Sequence, residues 1–223
     1  DPAALDPDFL QGQSAPSGGS ELHRTARPAT GFFTSLPGAQ HAAGVPETVE
    51  ATIANVRPGS TRQAGGAPPA TVPATRWTAI VVHHSGTPTG NAAIFDRYHR
   101  EERGWKDGLA YHFVIGNGQG SPDGRVEIGP RWERRIPGPH CENPEFVQHA
   151  VAVCLVGNTE ETAPTPKQRA ALKQLVQWLQ TEFRIPSNRV LGHRDVDRGR
   201  TACPGRLCDL KSIALPAAPA QRR

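Results

Sequence analysis

The chain has 223 residues, enough for one sizeable domain or for a domain with a tail. Its residues are 36% hydrophobic, Gly and Pro together make up about a fifth, and the net charge of +4 is not gathered into Lys/Arg clusters. No apolar run approaches the roughly 18 residues of a membrane span, no collagen or heptad repeat occurs, and nothing beyond mild basicity speaks for a nucleic-acid partner.

Composition divides the chain near residue 75. Residues 1–75 hold 10 of the 22 Pro and 9 of the 23 Gly, with no Trp, Tyr, Lys or Cys. Leu, Ile, Val and Phe are 12 of these 75 residues, or 16%, below the roughly 20% at which burial offsets chain entropy. Stretches such as SAPSGGS and GGAPP read as linker. This segment is expected to be an N-terminal extension, either flexible or wrapped over the domain, with residues 45–56 as its one candidate for a helical turn or strand. Met is absent and the chain starts with Asp1. A cleaved leader or a sequence trimmed at its start would each explain this, and a periplasmic or secreted location after removal of a signal peptide is the expectation.

From Trp77 the signals change. Residues 79–83 (AIVVH) form a continuous apolar run, as in a buried strand. Residues 91–103 place Ile94, Phe95 and Tyr98 at helical spacing and stop at Gly104. Residues 111–115 (YHFVI) and 125–128 (RVEI) read as two strands, the second reached through the turn Pro122-Asp123-Gly124. Residues 150–156 are another buried run. Thr165, Pro166 and Gln168 then open the clearest helix with a capping box, and Leu172, Leu175, Val176, Leu179 and Phe183 form its apolar stripe. Residues 189–193 make a last short strand. Strands interleaved with two helices predict an α/β fold, a sheet with helices packed on its faces.

The reactive residues gather at strand ends. His83 ends the first strand and His193 the last, and Cys203 follows in a Gly- and Arg-rich loop. Two imidazoles and a thiolate are preferred zinc ligands, and three protein ligands leave a fourth position open. Each alone is weak evidence, since a strand-end His is most often structural.

The stretches VVHHSGT, ERGWKDGLAYHFVIGNGQG, DGRVEIG, RIPGPH, VAVCLVGN and LGHRDVDRGRTACPG occur in one order. Over about residues 76–211 they resemble the zinc-dependent N-acetylmuramoyl-L-alanine amidases of the type-2 group, which includes phage amidases and the animal peptidoglycan recognition proteins. The resemblance implies a central mixed β-sheet flanked by helices, with a zinc ion at the floor of a substrate groove. Residues 212–223 fall beyond it as a C-terminal tail. It implies His83, rather than His84, together with His193 and Cys203 as ligands of one Zn2+, and Tyr111 as the active-site tyrosine. It implies hydrolysis of the amide between N-acetylmuramic acid and the L-alanine of the stem peptide. In this reading Tyr111 orients water and stabilises an oxyanion, with Thr201 as a weaker helper.

Two positions depart from the pattern. Thr201 stands where some members carry Lys, and Cys154 stands where some intracellular members place a Glu base. His140 reads either as a groove residue or as a structural loop histidine. Arg194 and Asp195 read either as partners that fix His193 or as a solvated ion pair, and Arg194 is also a candidate for a substrate carboxylate. Gly104-Trp105 resembles the pair that goes with diaminopimelate-type peptidoglycan in the recognition proteins, and it reads equally as a helix cap and a core anchor. The expected partner is therefore peptidoglycan or a muropeptide, met by a monomer, with no nucleic acid. A binding module that holds muropeptide without cutting it is the alternative. A disulfide between Cys141 and Cys208 is conceivable, but spacing does not fix connectivity.

Overall fold

The computed structural model describes residues 77–216. The expected extension, its 45–56 patch and residues 217–223 lie outside the described residues. The elements run β1 (Ala79–His84), α1 (Ala92–Glu101), β2 (Phe113–Ile115), β3 (Val126–Ile128), α2 (Pro130–Arg134), α3 (Pro144–His149), β4 (Ala150–Leu155), α4 (Pro166–Phe183), β5 (Val190–Gly192) and α5 (His193–Val196). One mixed five-stranded sheet has the order β3-β2-β4-β1-β5. β1 pairs parallel with β4 and β5, β2 pairs parallel with β4, and only β3 is antiparallel.

The two apolar runs become the two central strands because their side chains are covered on both faces. All of β4 is buried, and so is β1 up to His83. One face carries Ile80, Val82, Val151, Val153 and Leu155 against α4, through Leu172, Leu175, Val176 and Leu179. Trp132, Trp77, Phe113, Trp178 and Phe183 close this core with a chain of ring contacts. The other face carries Val114, Ala152 and Cys154 under Phe95 and Tyr98 of α1, and Ala79 and Val81 under Phe146 of α3. Ile213 is buried in the α4-side core, two residues beyond the domain boundary expected from the sequence.

The helix starts obey their caps. Asn91 accepts from the Ile94 amide at 2.9 Å, and Thr165 accepts from the Gln168 amide at 3.0 Å while Gln168 Oε1 accepts from the Thr165 amide. Gln168 does more than cap. It is buried, and its Nε2 donates to the carbonyls of Ile115 and Val156 at 3.1 and 2.9 Å, tying α4 to the chain ends of β2 and β4.

Three differences from the sequence reading have local causes. β2 starts at Phe113, two residues late, although the His112 amide already donates to Ala152. β5 stops at Gly192, because His193 opens the four-residue α5. Helices α2 and α3 escaped a periodicity search because five and six residues make less than two turns. Each nevertheless begins with Pro at its first position, and Asn143 caps α3.

Gln168→Ala is expected to lower stability by about 2–4 kcal/mol, because two buried carbonyls lose their donor and the capping box is broken. Urea unfolding would show a lower midpoint with an unchanged slope.

Candidate metal centre

The register of the sheet builds the site. Val82 pairs with Gly192, so the next residues on these parallel neighbours are His83 and His193. Their rings stand 4.6 Å apart by centroid. Cys203 comes from the loop that follows α5. The Arg194 amide donates to the Cys203 carbonyl at 2.7 Å, and the Cys203 amide donates to Thr201 Oγ1 at 3.1 Å. Gly205 holds the far side of this loop at φ +97°, where a Cβ would run into the backbone of Thr159 and Glu160. Thr159 in turn donates its hydroxyl to the Pro204 carbonyl and its amide to His84 Nδ1.

His83, His193 and Cys203 are all buried, and one ligand atom from each lies within 4.8 Å of the others. His83 Nδ1 is 3.7 Å from Cys203 Sγ. A tetrahedral zinc with Zn–N of about 2.1 Å and Zn–S of about 2.3 Å separates such donors by roughly 3.6 Å, so the donors fit that ion. The remaining ring nitrogens are engaged elsewhere. His83 Nε2 meets His140 Nδ1 at 3.1 Å, and His193 Nε2 donates to Asp197 Oδ2 at 2.7 Å. Each imidazole therefore turns its Nδ1 to the shared space. Burial is the main force on the protonation of all three. It holds His83 well below the usual imidazole value, helped by His193 and His140, and it lowers His193 against the pull of Asp197. It pushes the Cys203 thiol up, opposed by the His84 amide, which donates to the sulfur at 3.3 Å.

Tyr111 is fully buried beside this group, its ring 5.3 Å from that of His83. Burial, and then the neighbouring Cys154 and Cys203 sulfurs, raise its hydroxyl well above the ordinary phenol value, so it stays protonated. Cys154 pairs in register with His83, and no carboxylate occupies that position.

Other expected site residues are placed differently. His140 is fully buried and packs on His83, and burial lowers its pKa to about 3; it lines no exposed groove wall. Arg194 points to a cleft of about 800 Å3 lined also by Arg206, Cys208 and Lys211, and the lining includes none of the three ligands. Asp195 caps the Gly192 amide at 2.8 Å, so neither Arg194 nor Asp195 holds the His193 ring. Asp197 does, and its position four residues after His193 in the sequence was the available signal. Thr201 Oγ1 accepts from the Cys203 amide and shapes that ligand's loop. Gly104 sits at φ +66° just past α1 with open space where a Cβ would be, so its backbone turn, and not a lack of room, explains the glycine. Trp105 stacks on His99 at 5.0 Å and packs on the core around Phe95 and Tyr111. Cys141 and Cys208 are both free thiols and belong to cores on opposite faces of the sheet, so the conceivable disulfide is not formed.

The family of N-acetylmuramoyl-L-alanine amidases matches residues 73–206. The chain belongs to this family. Among solved structures, the N-acetylmuramoyl-L-alanine amidase LysC from Clostridium intestinale is similar at 28% identity, covering 63% of this chain and 84% of that one with a TM-score of 0.53. The bumblebee peptidoglycan recognition protein PGRP-SA is similar in fold at 23% identity, covering 64% and 86% with a TM-score of 0.50. A Drosophila PGRP-LB mutant in complex with tracheal cytotoxin is likewise similar in fold, at 24% identity over 64% and 83% with a TM-score of 0.50. No curated protein matches the chain. The mixed sheet expected from the resemblance is thus the fold that these solved structures share. No described helix of the chain is long and apolar enough to cross a membrane.

One zinc ion per chain is expected to remain after dialysis, and Ala at any two of His83, His193 and Cys203 to abolish it, as read by elemental analysis.

Proposed function

We propose that this amidase-family chain is an active, zinc-dependent peptidoglycan hydrolase that cuts between N-acetylmuramic acid and L-alanine. The observation that carries the reading is the convergence of His83, His193 and Cys203 donors within 4.8 Å. Of the common metals, zinc suits two imidazoles and one thiolate best. When bound, zinc supplies Lewis acidity toward an amide carbonyl and makes water a nucleophile near neutral pH.

The chain's own residues do the rest. Tyr111, held protonated by burial, cannot act as a base and is a hydrogen-bond donor for the oxyanion that develops on the lactyl carbonyl. Thr201 accepts from the Cys203 amide on one of its two oxygen lone pairs, and its O–H proton is a second, weaker donor. His140 and Asp197 face the back of the two imidazoles and keep their orientation. The substrate class we propose is peptidoglycan or its muropeptides, and the location we propose is the periplasm or outside the cell. For the stem peptide we propose the diaminopimelate type, with Trp105 offering a flat apolar wall and an indole N–H.

Incubation with purified peptidoglycan is expected to release peptides with a free L-alanine amino terminus, to stop with a chelator and to resume with zinc. Binding of muropeptide by the zinc-loaded protein with no such release would make it a recognition module instead. Tyr111→Phe is expected to lower turnover about 10²–10³-fold while zinc content stays normal. Unchanged turnover would reduce Tyr111 to a core residue. Two muropeptides that differ only at the third stem residue should be cut faster in the diaminopimelate form. Equal or better cleavage of the lysine form would leave Trp105 a purely structural side chain.

A further inference from the structure

We propose that Asp197 is the positioning residue of this site: its carboxylate locks His193 in the Nε2–H tautomer and also holds in place the loop that carries His140, the outer partner of His83. Four hydrogen-bond contacts meet on this one buried side chain. Asp197 Oδ2 accepts from His193 Nε2 at 2.7 Å and from the Glu142 amide at 3.0 Å. Asp197 Oδ1 accepts from the Glu142 amide at 3.1 Å and from the Asn143 amide at 3.2 Å. Its side chain is 3% exposed. Three N–H donors, from a ring and from two successive backbone units, thus converge on two oxygens.

The consequence for His193 is a choice of tautomer. A carboxylate without a proton accepts only, so the ring nitrogen that faces it must carry the hydrogen. The lone pair is then left on Nδ1, the nitrogen turned toward His83 and Cys203. The Glu142 and Asn143 amides can only donate and they reach both oxygens, so the unprotonated carboxylate is the form that satisfies all of these contacts.

The consequence for His83 is indirect. His140 precedes the two clamped amides by only two and three residues, and it meets His83 Nε2 through its own Nδ1. Asn143, the second clamped residue, is also the cap of α3, and its Nδ2 donates to the Val196 carbonyl at 3.5 Å. One carboxylate therefore joins the end of α5, which bears the second imidazole, to the segment that backs the first.

Asparagine cannot replace it. An amide has a single oxygen, and either orientation would turn its NH2 toward a backbone amide or toward the ring N–H, donor against donor. The neighbouring Asp195 is the natural control, because it loses the same charge in Asp195→Asn but touches only the Gly192 amide.

The proposal rests on the zinc reading for its metal arm only. Nitrogen-15 NMR of the metal-free protein, labelled in histidine, is expected to show His193 as the Nε2–H tautomer in the wild type and in Asp195→Asn, and as a mixture in Asp197→Asn. Chelator competition is expected to show zinc held about 10–100-fold more weakly by Asp197→Asn. An Nδ1–H His193 in the wild-type protein overturns the proposal, and this result stands even if the variant does not fold. An Asp197→Asn protein with an unchanged tautomer and unchanged zinc affinity overturns it as well. A wild type that shows the Nε2–H tautomer but takes up no zinc would retire the metal reading and leave the clamp intact.

Discussion

The site depends on the parallel pairing of β1 with β5. A parallel ladder keeps neighbouring strands in step, so residues one place beyond a bonded pair leave the sheet side by side. His83 and His193 are such residues, 110 positions apart in the chain and adjacent in space. A shift of one residue would turn one imidazole to the α4 face and destroy the pairing. The hydrophobic burial of β1 and β4 on both faces fixes that register. The chemistry is therefore positioned by the same apolar contacts that hold the domain together.

Around the two imidazoles the structure places groups whose protonation is set by burial. His83, His193 and His140 are all driven toward the neutral form, and Cys203 toward the thiol. A buried group of this kind gains by meeting a cation that replaces the proton, which is how metal uptake and proton release become coupled. Cys141, pushed up to about 12, and Cys208, pushed up to about 11, belong to no group of three metal donors among the described residues and stay protonated thiols of the core.

Much of this was legible in the sequence. The runs at residues 79–83 and 150–156 announced the central strands because parallel strands buried on both faces need continuous apolar side chains. The Thr165 capping box announced α4 to the residue. The three donors were legible as residue types at strand and loop ends. Of the residues that support them, Asp197 was signalled only by standing four places after His193, and the other contacts were not legible because their partners are distant in the chain. Nothing local marks His140 as the neighbour of His83 across 57 positions, or Asp197 as the acceptor for the Glu142 and Asn143 amides. Arg194 and Asp195 drew attention by adjacency to His193, yet a helical turn sends adjacent side chains apart and brings the fourth residue round. Gly104 illustrates the converse, since a missing side chain reads alike whether it makes space or permits a turn.

The two faces of the sheet carry separate duties. The face under α4 contributes bulk: Ile80, Val82, Val151, Val153 and Leu155 meet leucines and an aromatic cluster, and none of the three donors is among them. The opposite face contributes Tyr111 and Cys154 to the surroundings of the site. Stability and chemistry therefore occupy different territory within one thin layer of strands. Protein engineers could raise heat resistance by repacking the α4 side so long as the register of β1 and β5 is kept, and drift over generations would find the same bounded freedom.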